Sequence, residues 1–169
     1  AKDGEFRTSV LRTAIYAFHC RRQVLGKEQY HYADLGKSTY RYSLVPHAGD
    51  WRTAAVPRIA EECNTPMTAF TEPHHNGAHP REGRGFVEIG PQNVVGTVVK
   101  MAQSDDRIIV RMYESEGKDG TTATINMPGH GISAQVPISH HELLTLAFDP
   151  MRPKAAPVEV DLLERPMEG

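Results

Sequence analysis

NVVGTVVKMAQSDDRIIVRMYESE, residues 93–116, is the stretch on which the fold turns. Two runs of alternating apolar residues flank a short polar turn. Val95, Thr97, Val99 and Met101 fall on one face of the first run, and Ile108, Val110 and Met112 on one face of the second. A period of two marks a half-buried strand. Residues 103–107 are too few for a crossover helix, so the two strands pair antiparallel. Gly, Val and Thr on the opposite face predict cover on both sides, which places this hairpin at the centre of a sandwich sheet.

Downstream, the spacing predicts a turn at 117–120 and a strand over 121–127, with Thr121, Ala123, Ile125 and Met127 on one face. Gly129 and Gly131 mark another turn. Short strands follow over 143–148 and 158–163, joined by a proline-rich link at 150–157. Upstream, residues 85–90 form a short strand. Residues 6–12 alternate enough for a strand, which the apolar run 14–18 continues, and residues 27–37 form a loop. Residues 38–46 read as a second strong strand. Tyr40, Tyr42 and Leu44 share one face, Thr39, Arg41, Ser43 and Val45 the other, and Pro46 ends it because proline cannot donate to a ladder. Trp51 anchors the corner that follows. Val56, Ile59, Ala60 and Cys63 recur at helical spacing, which predicts a helix over 53–63, capped by Thr53, with Pro57 in its first turn and Asn64 and Pro66 at its end. Residues 71–84, rich in His, Gly, Pro and charge, form a long exposed loop. The reading is all-β: one β-sandwich domain over 1–169 of mainly antiparallel strands with one short helix.

A chain of 169 residues, 39% hydrophobic and 24% charged, has an ordinary composition for a soluble domain. Its formal net charge of -2 gives no electrostatic case for nucleic acid. No apolar run reaches membrane-spanning length. Cys20 and Cys63 make no disulfide framework and read as buried free thiols, which leaves the compartment open with the cytoplasm slightly favoured. Ala1 at the start suggests a fragment or a processed chain.

Several clusters carry possible chemistry. His74, His75 and His79 beside Glu72 are zinc-ligand types, but a solvated loop does little to aim them. His140 and His141 are adjacent, and neighbours on a strand point to opposite faces. Arg111, Tyr113 and Ser115 share one face of the second central strand, where an arginine suits sugar hydroxyls or a carboxylate. Asp105 and Asp106 are turn formers rather than a glycosidase pair, which must flank a sugar. A phosphate-binding glycine loop, a nucleophile elbow and a Cys-x-x-Cys pair are all missing from the sequence.

Residues 41–52, RYSLVPHAGDWR, followed by the helix ending at Asn64-Thr65-Pro66, are similar to a segment in the C-terminal region of family 38 glycoside hydrolases, the α-mannosidases. Residues 93–100, residues 109–114 with Gly117, and residues 160–164 resemble further segments of that region. The matches run in order from about residue 6 to residue 164. One segment is out of place: HELLTL, residues 141–146, resembles the family's final strand yet precedes residues 160–164. The resemblance implies β-sandwich domains packed on an N-terminal catalytic domain that carries zinc and the nucleophile of retaining α-mannoside hydrolysis. None of those catalytic motifs stands in this chain. It therefore implies a non-catalytic C-terminal domain with no cofactor of its own, supporting the catalytic domain. Arg111, then Tyr113 and His47, are its candidates for contact with substrate at the cleft rim. Two other readings compete. A stand-alone carbohydrate-binding sandwich requires an exposed aromatic platform, from a chain only 7% aromatic. A metal-dependent enzyme requires a tightly bound ion in the 71–84 loop.

Overall fold

The central hairpin forms, and a single extra residue bends it. In the computed structural model, which describes residues 7–11, 32, 35–73, 76–77, 83 and 85–167, strand β2 (Val94–Met101) pairs antiparallel with β3 (Ile108–Glu114). Val94 lies opposite Glu114 and Gly96 opposite Met112. The register then shifts between Gly96 and Val98, so that Val99 meets Val110 and Met101 meets Ile108. Directly opposed residues share a face. Val99 and Met101 therefore face as expected. In the first half of the strand it is Val94 and Gly96 that share the inward face, not Val95 and Thr97. The bulge at Thr97 reverses the alternation, as an inserted residue must when the side-chain period is two.

The remaining elements in chain order are α1 (Val56–Asn64), β1 (Glu88–Gly90), β4 (Thr121–Met127), a 3₁₀ turn (Pro128–His130), β5 (Ile132–Ile138), β6 (Leu143–Phe148) and β7 (Val158–Glu159). They build two sheets, β1-β4-β5 and β2-β3-β6-β7, with every pairing antiparallel. The inward faces meet in one core. Val94, Val110, Met112, Leu144, Leu146 and Phe148 from the larger sheet pack with Ala123, Ile125, Met127, Ile132 and Ile138 from the smaller. Each such large side chain contributes about 1.5–3 kcal/mol by leaving water. The two sheets approach closely at Gly96, where a Cβ would come within 2.5 Å of Ile89 Cδ1.

Strand β5 is absent from the sequence-based reading. Pro137 lies within it, and proline in an alternating run argues against a central strand. Here β5 is the sheet edge and Pro137 simply faces Thr122 of β4. The first and last predicted strands of residues 85–163 shorten to 88–90 and 158–159. After β7 the chain instead hooks back over the outer face of the larger sheet. Val160 packs on Ile109 and Ala147, and its N–H donates to Thr145 O at 3.0 Å. Asp161 then accepts the N–H groups of Leu163 and Arg165.

The helix begins later than predicted. Its N-cap is Ala55 in a left-handed conformation (φ 50°), without a side-chain cap. Thr53 belongs to the preceding turn, where its N–H and that of Arg52 donate to Asp50 Oδ1. Those bonds, that of Thr53 foremost, hold the Asp50 carboxyl below its ordinary range. Cys63 is exposed rather than buried; Cys20 lies outside the described residues. Trp51 is also partly exposed, so it anchors the corner only in part.

By its contacts the chain divides into residues 1–44 and residues 45–169. In the first unit the described residues 7–11 and 35–44 adopt neither helix nor strand. The strands expected over 6–12 and 38–46 are therefore not formed among the described residues. Residues 14–18 lie outside the described ones. Among the described residues no helix is long and apolar enough to cross a membrane.

Candidate functional site

Two of the three residues expected at a substrate cleft come together. Arg111 and Tyr113 stand two apart on the outer face of β3, both half-buried. Arg111 Nε donates to Thr145 Oγ1 at 3.1 Å on β6, and its other end approaches Leu162 O in the C-terminal hook at a long 3.5 Å. Tyr113 lies between Val95 and Leu143 in the register. The hook adds an acid nearby. The Glu164 carboxylate pairs with Lys100 and accepts the Gln103 N–H at 2.7 Å. Lys100 above all, then the Gln103 amide, hold its carboxyl below the ordinary range, and Arg111 adds to the effect. His47 is exposed in the turn before α1, and no described contact joins it to Arg111 or Tyr113. Ser115 leaves their face; it is buried, with Oγ donating to Asn93 O at 3.0 Å.

The end of β3 holds a polar lock that sequence reasoning missed. Glu114 turns into the core and is 1% exposed. Its Oε1 accepts Asn93 Nδ2 at 2.9 Å and the Glu116 N–H at 3.0 Å. Its Oε2 accepts the Gly117 N–H at 2.7 Å and the His141 N–H at 3.1 Å. Burial by itself would raise this carboxyl. The four donors, Asn93 foremost, outweigh it and lower the pKa to about 2. The lock fixes the 115–117 turn, and that turn lines a polar cleft of about 490 Å³. There Arg52 Nε donates to Glu116 O at 2.8 Å, and Lys118 Nζ lies 2.6 Å from Glu116 Oε2. The Arg52 guanidinium also stacks on Trp51, 4.5 Å from the ring centroid.

A second cavity, about 530 Å³, is mostly apolar and opens at one end of the sandwich between Phe86, Val99, Met101, Ile108 and Met127. It exists because β1 has only three residues while β2 has eight. The inward-facing Val99 and Met101 consequently remain about half exposed.

The histidine clusters do not form a metal centre among the described residues, where no three His, Cys, Asp or Glu side chains converge. His140 and His141 sit in a turn, ring edge to ring face with centroids 6.2 Å apart, and His140 Nδ1 contacts Asp119 at 2.5 Å. His74, His75 and His79 lie outside the described residues; Glu72 is exposed.

These features define an all-β fold: a sandwich of a three- and a four-stranded antiparallel sheet, its polar lock shaping one rim. Residues 93–169 match the glycosyl hydrolases family 38 C-terminal beta sandwich domain. Relatives include alpha-mannosidase 2C1 of Homo sapiens, 31% identical over 87 residues, and that of Mus musculus, 28% identical over 88 residues. Alpha-mannosidase G of Dictyostelium discoideum is 24% identical over 84 residues. Each match covers 50% of this chain and 8% of the relative, so the matched part is a small fraction of those proteins. No solved structure matches the chain significantly.

Proposed function

We propose that this chain is the non-catalytic C-terminal part of an α-mannosidase-like glycoside hydrolase. It supports the catalytic domain and brings Arg111 and Tyr113, with His47, to the rim of the substrate cleft. The observation that carries this reading is the family 38 C-terminal match over residues 93–169, beside matches that cover 8% of each α-mannosidase relative. The apolar cavity adds physical support: Val99 and Met101 have core-facing register yet stay about half exposed, which is the surface that a packed neighbour removes from water. Zinc belongs with the catalytic domain, as does retaining hydrolysis of the α-mannoside.

A stand-alone sugar-binding module draws support from the partly exposed Trp51 beside the polar cleft. One face of that ring is already taken by Arg52, which weakens it as a stacking platform. The rim assignment is tested in the intact enzyme. Arg111→Ala is expected to lower kcat/KM for an α-mannoside about tenfold, the scale of one lost charged hydrogen bond, at unchanged Tm. Unchanged kinetics for Arg111→Ala, Tyr113→Phe and His47→Ala would remove all three from the rim.

A further inference from the structure

We infer that Thr145 is a positioning residue: its hydroxyl holds the Arg111 guanidinium in the orientation that meets substrate oxygens. The inference rests on the rim reading above and adds a residue to it. The sequence of β6, LLTLAF, carries a single polar side chain, and that side chain is Thr145. In the register it stands directly opposite Arg111, so the two share the outer face of the larger sheet. Thr145 is only 4% exposed. A hydroxyl taken out of water costs free energy unless it is hydrogen-bonded, and a charged donor makes the stronger kind of bond. Thr145 Oγ1 accepts the Arg111 Nε–H at 3.1 Å.

The main chain around this pair is held on both sides. Arg111 lies between Val98 on β2 and Thr145 on β6, and its carbonyl also accepts the Thr97 hydroxyl at 3.3 Å. Thr145 O in turn accepts the Val160 N–H of the hook at 3.0 Å. What remains loose is the arginine side chain, whose many rotamers are the usual cost of using it for recognition. The bond to Thr145 fixes that side chain at Nε. It leaves the Nη1 and Nη2 end of the fork, whose described bond is the long 3.5 Å approach of Nη2 to Leu162 O. Two donors side by side suit two neighbouring oxygens of one sugar. Thr145→Val fills the same space but gives the fork nothing to hold.

Kinetics of the full mannosidase polypeptide on an α-mannoside test this as a double-mutant cycle. Thr145→Val should raise KM and thereby lower kcat/KM about fivefold, while Thr145→Ser, which keeps the hydroxyl, should stay within about twofold of wild type. Once Arg111→Ala removes the group being held, adding Thr145→Val should cause no further loss. Wild-type kinetics for Thr145→Val beside impaired Arg111→Ala would overturn the inference and leave the rim reading standing. Losses that multiply in the double variant would also overturn it, by giving Thr145 a role independent of Arg111. So would a Thr145→Ser enzyme as impaired as Thr145→Val, by placing the effect in the methyl group. Wild-type kinetics for Arg111→Ala would sink the rim assignment of Arg111 and this inference together.

Discussion

Asn93 and Glu114 join the first residues of one central strand to the end of the other: Asn93 Nδ2 donates to Glu114 Oε1 at 2.9 Å inside the sandwich. The same amide also donates to Thr121 Oγ1 at 3.0 Å, so the bond reaches the second sheet. Glu114→Ala leaves four donors without their acceptor. The expected loss is about 3 kcal/mol, since each buried unsatisfied group costs on the order of 1–3 kcal/mol and water recovers part of it. Asn93→Ala should cost about half as much. Urea titration of the isolated chain measures both, and a loss below about 1 kcal/mol for Glu114→Ala would show that the lock is not structural.

The charge on Glu114 makes stability depend on pH. Its folded pKa of about 2 lies below the unfolded value of 4.5, so its contribution is fully present above about pH 4.5 and is lost as pH falls towards 2. The displacement corresponds to about 3 kcal/mol. The Glu114→Gln variant lacks this titration. Its stability deficit should be largest at neutral pH and should narrow as pH drops from 4.5 to 2. Parallel curves across that window would place the titration elsewhere.

Gly117 separates conformational from steric need. Its φ is +72°, and a Cβ there would lie 2.8 Å from His141 Nε2. Gly120 has a similar φ of +69° with open space around it. Gly120→Ala should cost about 1 kcal/mol from backbone strain alone, and Gly117→Ala about 2 kcal/mol because the histidine must also move. Thermal melts of the two variants check the order, and equal costs would refute the steric contribution.

The central hairpin, β4 and β6 were legible because one buried face stamps a period of two on the sequence. The bulge at Thr97 was not, since one extra residue changes parity without changing composition. Pro137 hid β5 because sequence does not say which strand is an edge. Residues 38–45 show the converse: alternation is present, yet no strand forms there. Arg111 and Tyr113 could be paired from their spacing on β3. The lock could not, because the donors to Glu114 from Asn93 and His141 lie 21 and 27 residues away.

The C-terminal hook is held by one small apolar contact and a few polar ones. Val160→Asp places a charge against Ile109 and Ala147. It should cost about 2–4 kcal/mol and free residues 161–167 to rapid proteolysis. It should also disturb the outer face beside Arg111, whose guanidinium approaches Leu162 O. Limited digestion followed by mass analysis reads the release, and wild-type resistance would show that the hook is held by its polar contacts alone.

The supporting role is tested most directly by α-mannoside hydrolysis, measured for the 169-residue chain, for the full mannosidase polypeptide, and for that polypeptide without this region. The account predicts no turnover by the chain alone, turnover by the full polypeptide, and a loss of about tenfold or more in soluble activity on deletion, as expected when a packed apolar surface is bared. Hydrolysis by the isolated chain, or full activity and stability after deletion, would contradict it.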